Sequence, residues 1–123
     1  MSGNKFVLDT NAVLYILGGD ETLSDFLFGK ELYISIISEL ELLSFKTISI
    51  KEEKQILSFL EELTIINISE KIKTLAIELR KSSNLKMPDS IIAATAIALQ
   101  LPFVTSDKQF QTIPQLNLVY YEK

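Results

Sequence analysis

Residues 6–13 read FVLDTNAV, an apolar run that stops on a carboxylate, Asp9. Three more acids stand at comparable places. Asp89 follows Met87-Pro88 at the head of the apolar run IIAATAIAL, Asp107 comes two residues after PFVT, and Glu41 lies early in the helical stretch behind LYISI. The chain has five aspartates, and only Asp20 and Asp25 fall in polar stretches that read as exposed surface. Carboxylates gathered in one place raise each other's pKa, and burial raises it further. A cation relieves that cost. With all-oxygen ligands, Mg²⁺ or Mn²⁺ suits such a site. The reaction best served is phosphodiester hydrolysis, because a bound ion activates water, stabilises the leaving oxygen, or does both when two ions bind. Asn11 can add an amide oxygen or hold Asp9 by a hydrogen bond. Thr105 and Ser106 can orient Asp107. Glu39 competes with Glu41: two residues apart on a helix, their side chains diverge by about 200°, and spacing alone does not choose between them.

Each acid also has an ordinary structural role open to it. Asp9 can cap a helix starting at Thr10. Ser38-Glu39-Leu40-Glu41 fits the S-x-x-E capping box. Asp89 beside Pro88 is favoured by the helix dipole, and Asp107 can cap a short helix over Lys108–Gln111. One at a time, these readings are at least as good as the functional ones. The functional reading rests on four acids reaching the same edge of one sheet.

Composition narrows the chemistry. The chain has no cysteine and no histidine. That excludes a disulfide scaffold, thiolate metal sites, Ser-His-Asp and Cys-His mechanisms and the usual zinc ligands. The absence of cysteine fits a reducing compartment. A net charge of −4 advertises no broad basic face for nucleic acid. No apolar run is long enough to span a membrane, and MSGNKFVLDT lacks the pattern of a signal peptide. The expectation is a cytoplasmic protein of one domain, residues 1–123.

The elements that must position the acids alternate. Strands are expected at 4–9, 32–36, 64–68, 102–105 and 116–121, and helices at 10–17, 21–29, 38–46, 51–63, 70–83 and 88–99. Leu40, Leu43 and Phe45 are expected inward on the third helix, and Ile56, Leu57, Leu60 and Leu63 on the fourth. Short connections and unbroken apolar strands indicate an α/β fold: three layers, α/β/α, around a central parallel sheet of four to five strands. In such sheets ligands bind beyond the carboxyl ends of the strands, where strand order reverses.

VLDTNAVLYIL, ISIISELELLSF and LKMPDSIIAATAIALQLPFVTSDKQF together resemble the PIN-domain nucleases, most of all the VapC-like toxins of type II toxin–antitoxin pairs. The resemblance runs from Phe6 to about Val119, and its third stretch is the most specific. It implies a PIN-like parallel sheet carrying an acidic, Mg²⁺- or Mn²⁺-dependent ribonuclease centre. The first acid falls on Asp9 with its polar partner at Asn11. The helix acid falls on Glu41 rather than Glu39, the third on Asp89 and the fourth on Asp107, with Thr105 as the hydroxyl residue before it. The resemblance further implies an RNA substrate, a cognate antitoxin that holds the protein inactive, and a homodimer. Arg80, the only arginine, lies on the helix before the third stretch. There it can meet phosphate or an antitoxin carboxylate, although a solvated, paired surface arginine is the ordinary reading. Lys81, Lys86 and Lys108 can form a local positive rim.

Rival readings fare worse. A phosphoacceptor receiver domain needs paired acids after its first strand and an Asp after its middle one; here TIINI is followed by Ser69-Glu70. A haloacid-dehalogenase-type phosphatase needs Asp at both ends of D-x-D, and position 11 is Asn. A catalytically degenerate PIN-like module that only binds protein or RNA is the third alternative, and the four retained acids argue against it.

Overall fold

The apolar run behind Asp9 forms a strand, β1 (Lys5–Leu8), in which Phe6, Val7 and Leu8 are all buried. Both faces are covered, which is why its sequence does not alternate. The computed structural model describes residues 3–123. After β1 come α1 (Thr10–Leu17), α2 (Glu21–Leu27), β2 (Glu31–Ser35), α3 (Ile36–Leu43), α4 (Ile50–Leu60), β3 (Thr64–Ile66), α5 (Glu70–Ser82), α6 (Met87–Leu99) and β4 (Phe103–Thr105). A 3-10 turn (Lys108–Thr112) and β5 (Leu118–Tyr120) complete the order.

The strands form one sheet in the order β3-β2-β1-β4-β5. Every pairing is parallel, including Val7 with Phe103 and Leu8 with Val104. Val7 and Phe103 face one layer, where they meet α5 and α6. Phe6, Leu8 and Val104 face the other, against α1 to α4. This is the expected three-layer α/β/α arrangement with five strands. The chain builds outward from β1 through β2 to β3, then returns to the other side of β1 for β4 and β5. Strand order therefore reverses at β1, and the crevice opens beyond its carboxyl end. Among the described residues no helix is long and apolar enough to cross a membrane.

Local details depart from the sequence reading. On α3, Leu42 is buried while Leu40 is 56% exposed; Phe45, 48% exposed, lies beyond the helix, which ends at Leu43. The helix starts at Ile36, capped by Ser35, whose hydroxyl accepts from the Ile37 N–H at 3.0 Å. That start sets a phase in which Ser38 and Leu42, four apart, face inward. Leu57 of α4 is likewise 45% exposed, while Ile56 and Leu60 are buried. Asp20, expected on the surface, caps α2 by accepting from the Leu23 N–H, and it pairs with Lys123.

Candidate metal centre

Asp9 is the residue after β1 and the N-cap of α1, and only 5% of it is exposed. Its Oδ1 accepts from the Thr10 N–H at 2.8 Å. Capping occupies one oxygen and leaves the carboxylate lining the crevice, so the cap does not exclude a functional role. Its Oδ2 accepts from the Thr105 hydroxyl at 2.7 Å, across 96 residues of sequence. Thr105 ends β4, the neighbour of β1, and is fully buried. The same hydroxyl accepts from the Asp107 N–H at 3.0 Å. One side chain thus ties the first acid to the backbone of the last.

Glu41 is held by a residue the sequence reading did not single out. The Thr10 hydroxyl lies 2.7 Å from Glu41 Oε1 and 2.8 Å from Ser38 Oγ. A carboxylate only accepts, so the single Thr10 proton goes to Glu41 and the Ser38 hydroxyl donates to Thr10. Ser38 is therefore no helix cap. The S-x-x-E reading at 38–41 fails because the helix begins earlier and Ser38 is fully buried against α1. The capping box of this kind is at Ser49 and Glu52, at the start of α4.

Asp89 stands in the first turn of α6, with Pro88 beside it and no side-chain cap on the helix. Asp107 caps the 3-10 turn, accepting from the Gln109 N–H at 3.1 Å. The Gln109 amide then bridges the two acids: Nε2 donates to Asp89 Oδ2 at 3.0 Å and to Asp107 Oδ2 at 2.8 Å. Gln109 sits in a stretch that reads as plain polar surface, and no sequence signal marked it.

Asp9, Glu41, Asp89 and Asp107 line one cavity of about 430 Å³ together with Thr10, Asn11, Leu14, Ser44 and Phe45. A larger groove of about 820 Å³ lies along α4 and holds none of them. Burial, with Asp89 and Asp107 adding repulsion, pushes the Asp9 carboxyl up to about 6, against the hydrogen bonds from Thr105 and Thr10. Burial also raises Asp89; the Gln109 amide opposes this, while Asp107 and Glu41 reinforce it. Among the described residues no lysine or arginine forms an ion pair with any of the four. Lys86 lies near enough to Asp89 to oppose its rise, but the donor set, oxygen throughout and without an ion-paired cation, fits a hard divalent cation by type. As placed, no three acids among the described residues converge on one ion. The Gln109 amide bridges two of them.

The supporting residues divide. Thr105 has a stronger role than expected, gripping Asp9 as well as the Asp107 backbone. Asn11 lines the cavity mouth, but Asp9 takes its hydrogen bonds from Thr10 and Thr105 instead. Ser106 bonds to neither Asp9 nor Asp107. It lies beside Tyr121, whose buried hydroxyl has no partner within hydrogen-bond geometry and whose pKa burial pushes up to about 12. Arg80 does not line the cavity. Its guanidinium donates to the Leu85 carbonyl at 2.8 Å and fixes the turn from α5 into α6. Arg80→Ala is expected to lower stability by about 1 kcal/mol, read from denaturant melts.

Residues 6–116 match the sequence profile of the PIN domain. The chain belongs to the PIN-domain family. Solved structures similar to this PIN domain include VapBC2 from Rickettsia felis bound to a DNA fragment from their promoter. There the TM-score is 0.84 at 26% identity, covering 96% of this chain and 99% of that one. A toxin–antitoxin complex from Klebsiella pneumoniae gives 0.81 at 30% identity, covering 95% and 98%. VapBC-1 from nontypeable Haemophilus influenzae shares the fold, with a TM-score of 0.77 at 24% identity over 94% and 97% of the two chains. A comparison with curated protein sequences finds no match. Within this PIN domain, Thr10 and Gln109 are the site residues that sequence reasoning missed. For Thr10 a signal was present: a hydroxyl residue between the strand acid and the apolar helix.

Proposed function

We propose that this PIN domain is a divalent-cation-dependent endoribonuclease and the toxin of a type II toxin–antitoxin pair. The observation that carries the reading is the gathering of Asp9, Glu41, Asp89 and Asp107 around one cavity at the carboxyl edge of the sheet. Those four residues would hold Mg²⁺ or Mn²⁺. Once bound, the ion would supply an activated water and charge stabilisation at the leaving oxygen.

The chain's own residues do the positioning. Thr105 and the Thr10 N–H fix both oxygens of Asp9, and the Thr10 hydroxyl aims Glu41. Leu14 and Phe45 give the cavity an apolar side. Phe45, 48% exposed, offers an aromatic face on which an unstacked base can lie. The acidic balance of the chain gives little long-range attraction for RNA. Affinity would come from contacts at the site, where bound cations carry the local charge.

The Klebsiella pneumoniae structure, described as a toxin–antitoxin complex, shares this chain's shape over nearly its whole length, which supports the toxin reading. A cognate antitoxin would hold the protein inactive, and the α4 groove, with Leu17, Ile50 and Phe59 on its walls, offers apolar surface to such a partner. Action in the cytoplasm as a homodimer completes the proposal.

The test is cleavage of a labelled RNA pool by purified protein with Mg²⁺ or Mn²⁺, followed by mapping of the cut ends. Cleavage is expected to stop with EDTA and to fall at least about 100-fold in Asp89→Asn. Cleavage that survives both would belong to a contaminant. Growth arrest on expression that no neighbouring gene product relieves would count against the antitoxin half. The rival reading, a PIN-like module that only binds, draws on the Gln109 amide lying across Asp89 and Asp107. It expects RNA or protein binding without cut ends in the same assay.

A further inference from the structure

We infer that Gln109 is a built-in competitor for the cation, its side-chain amide holding Asp89 and Asp107 together in the metal-free protein and leaving when an ion binds. The inference rests on the metal reading proposed above and adds to it a residue that sets how much cation the site needs.

The geometry is specific. One nitrogen, Nε2, sits 3.0 Å from Asp89 Oδ2 and 2.8 Å from Asp107 Oδ2. Two carboxylates admit only the donor end of the amide, so the nitrogen faces them and the amide oxygen faces away. Both N–H bonds are used. Asp89 and Asp107 would help hold a cation through carboxylate oxygens that this nitrogen now engages. An amide nitrogen has no lone pair to give a metal. The group therefore cannot convert from donor to ligand without turning over or leaving.

Gln109 makes a third contact that decides the sign of the effect. Its main-chain N–H donates to Asp107 Oδ1 at 3.1 Å. That bond belongs to the backbone of the 3-10 turn and does not depend on the side chain. Asp107 is also anchored through its own N–H, which donates to Thr105. Removing the Gln109 side chain thus leaves Asp107 aimed while freeing one oxygen on each acid. Competition is lost and pre-orientation is kept, so affinity rises. Gln109 is exposed, and truncating it opens no core cavity.

The experiment titrates Mn²⁺ into the full chain, stripped with EDTA and dialysed, by calorimetry. It pairs this with the Mn²⁺-induced rise in melting temperature. Gln109→Ala is expected to bind Mn²⁺ about 3- to 10-fold more tightly than wild type, the larger figure equivalent to about 1.4 kcal/mol, and to show the larger rise. Gln109→Met keeps the length of the side chain but has no hydrogen to donate, and it is expected to tighten binding as well. Tightening in Gln109→Ala alone would overturn the inference in favour of simple bulk. Unchanged or weaker binding in Gln109→Ala would overturn it in favour of an inert surface residue or a ligating amide oxygen. A wild type that binds no Mn²⁺ would sink the metal reading and this inference with it. A wild type that binds while Gln109→Ala gains nothing would sink the inference alone.

Discussion

Asp9→Asn is expected to abolish RNA cleavage, by at least about 100-fold, and to make the metal-free protein more stable. Both effects follow from one buried carboxylate. Burial raises the Asp9 carboxyl from 3.8 to about 6. Folded protein therefore holds this proton up to about pH 6, whereas unfolded chain holds it only below about 3.8. Between those values the folded state binds more protons, so stability falls as pH rises from about 4 to about 6 and is level above that. At neutral pH the ionised group costs on the order of 3 kcal/mol. Asparagine removes that cost and keeps the cap on α1, because its amide oxygen still accepts from the Thr10 N–H. Its NH₂ end donates to the Thr105 hydroxyl, which turns to accept. Denaturant melts in EDTA across pH 4 to 7 check the claim: the slope in wild type is expected to flatten in Asp9→Asn. A variant that loses activity and stability together would mean that Asp9 is chiefly a structural cap.

Thr105→Val is expected to lower cleavage about 10- to 100-fold and to shift its acid limb upward in pH. The hydroxyl donates to Asp9 and accepts from the Asp107 N–H, and valine does neither. Both groups are then left without a partner in a buried place, at a cost of roughly 1–3 kcal/mol each. The Thr105 hydrogen bond holds the Asp9 carboxyl below where burial alone would put it. Without it Asp9 keeps its proton to higher pH, and the site loses a charged oxygen over the range where wild type has one. Thr105→Ser restores the hydroxyl and is expected to recover most of the activity and the original pH limb. A serine variant as impaired as the valine one would assign Thr105 to packing alone.

The edge on which the acids meet was legible because a parallel sheet puts all its carboxyl ends on one side. Asp9 and Asp107 follow strands that are unbroken apolar runs, and Asp89 opens a helix that is apolar nearly all round. Their convergence needed only the element order. What holds them was not legible. Thr10 meets Ser38 across 28 residues and Thr105 meets Asp9 across 96, and each contact depends on which elements are neighbours. Local patterns can also mislead. The stretches at 38–41 and 49–52 both read S-x-x-E, and of these the second is the capping box. At the first, β2 ends on Ser35, which takes the cap and leaves Ser38 to be buried inside α3. Leu40 was misplaced with it, and Phe45 because α3 ends at Leu43, short of the expected residue 46.

The position of β1 between β2 and β4 bears on when the protein becomes active. Its β4 neighbour arrives with residues 103–105, near the end of the chain, and brings Thr105 with it. At about 5–20 residues per second, the ribosome adds that strand seconds after Asp9, Glu41 and most of the helices have been made. Until then Asp9 lacks the Thr105 hydroxyl, and Asp107 has not been made. The four-acid site is therefore complete only once Asp107 has been made.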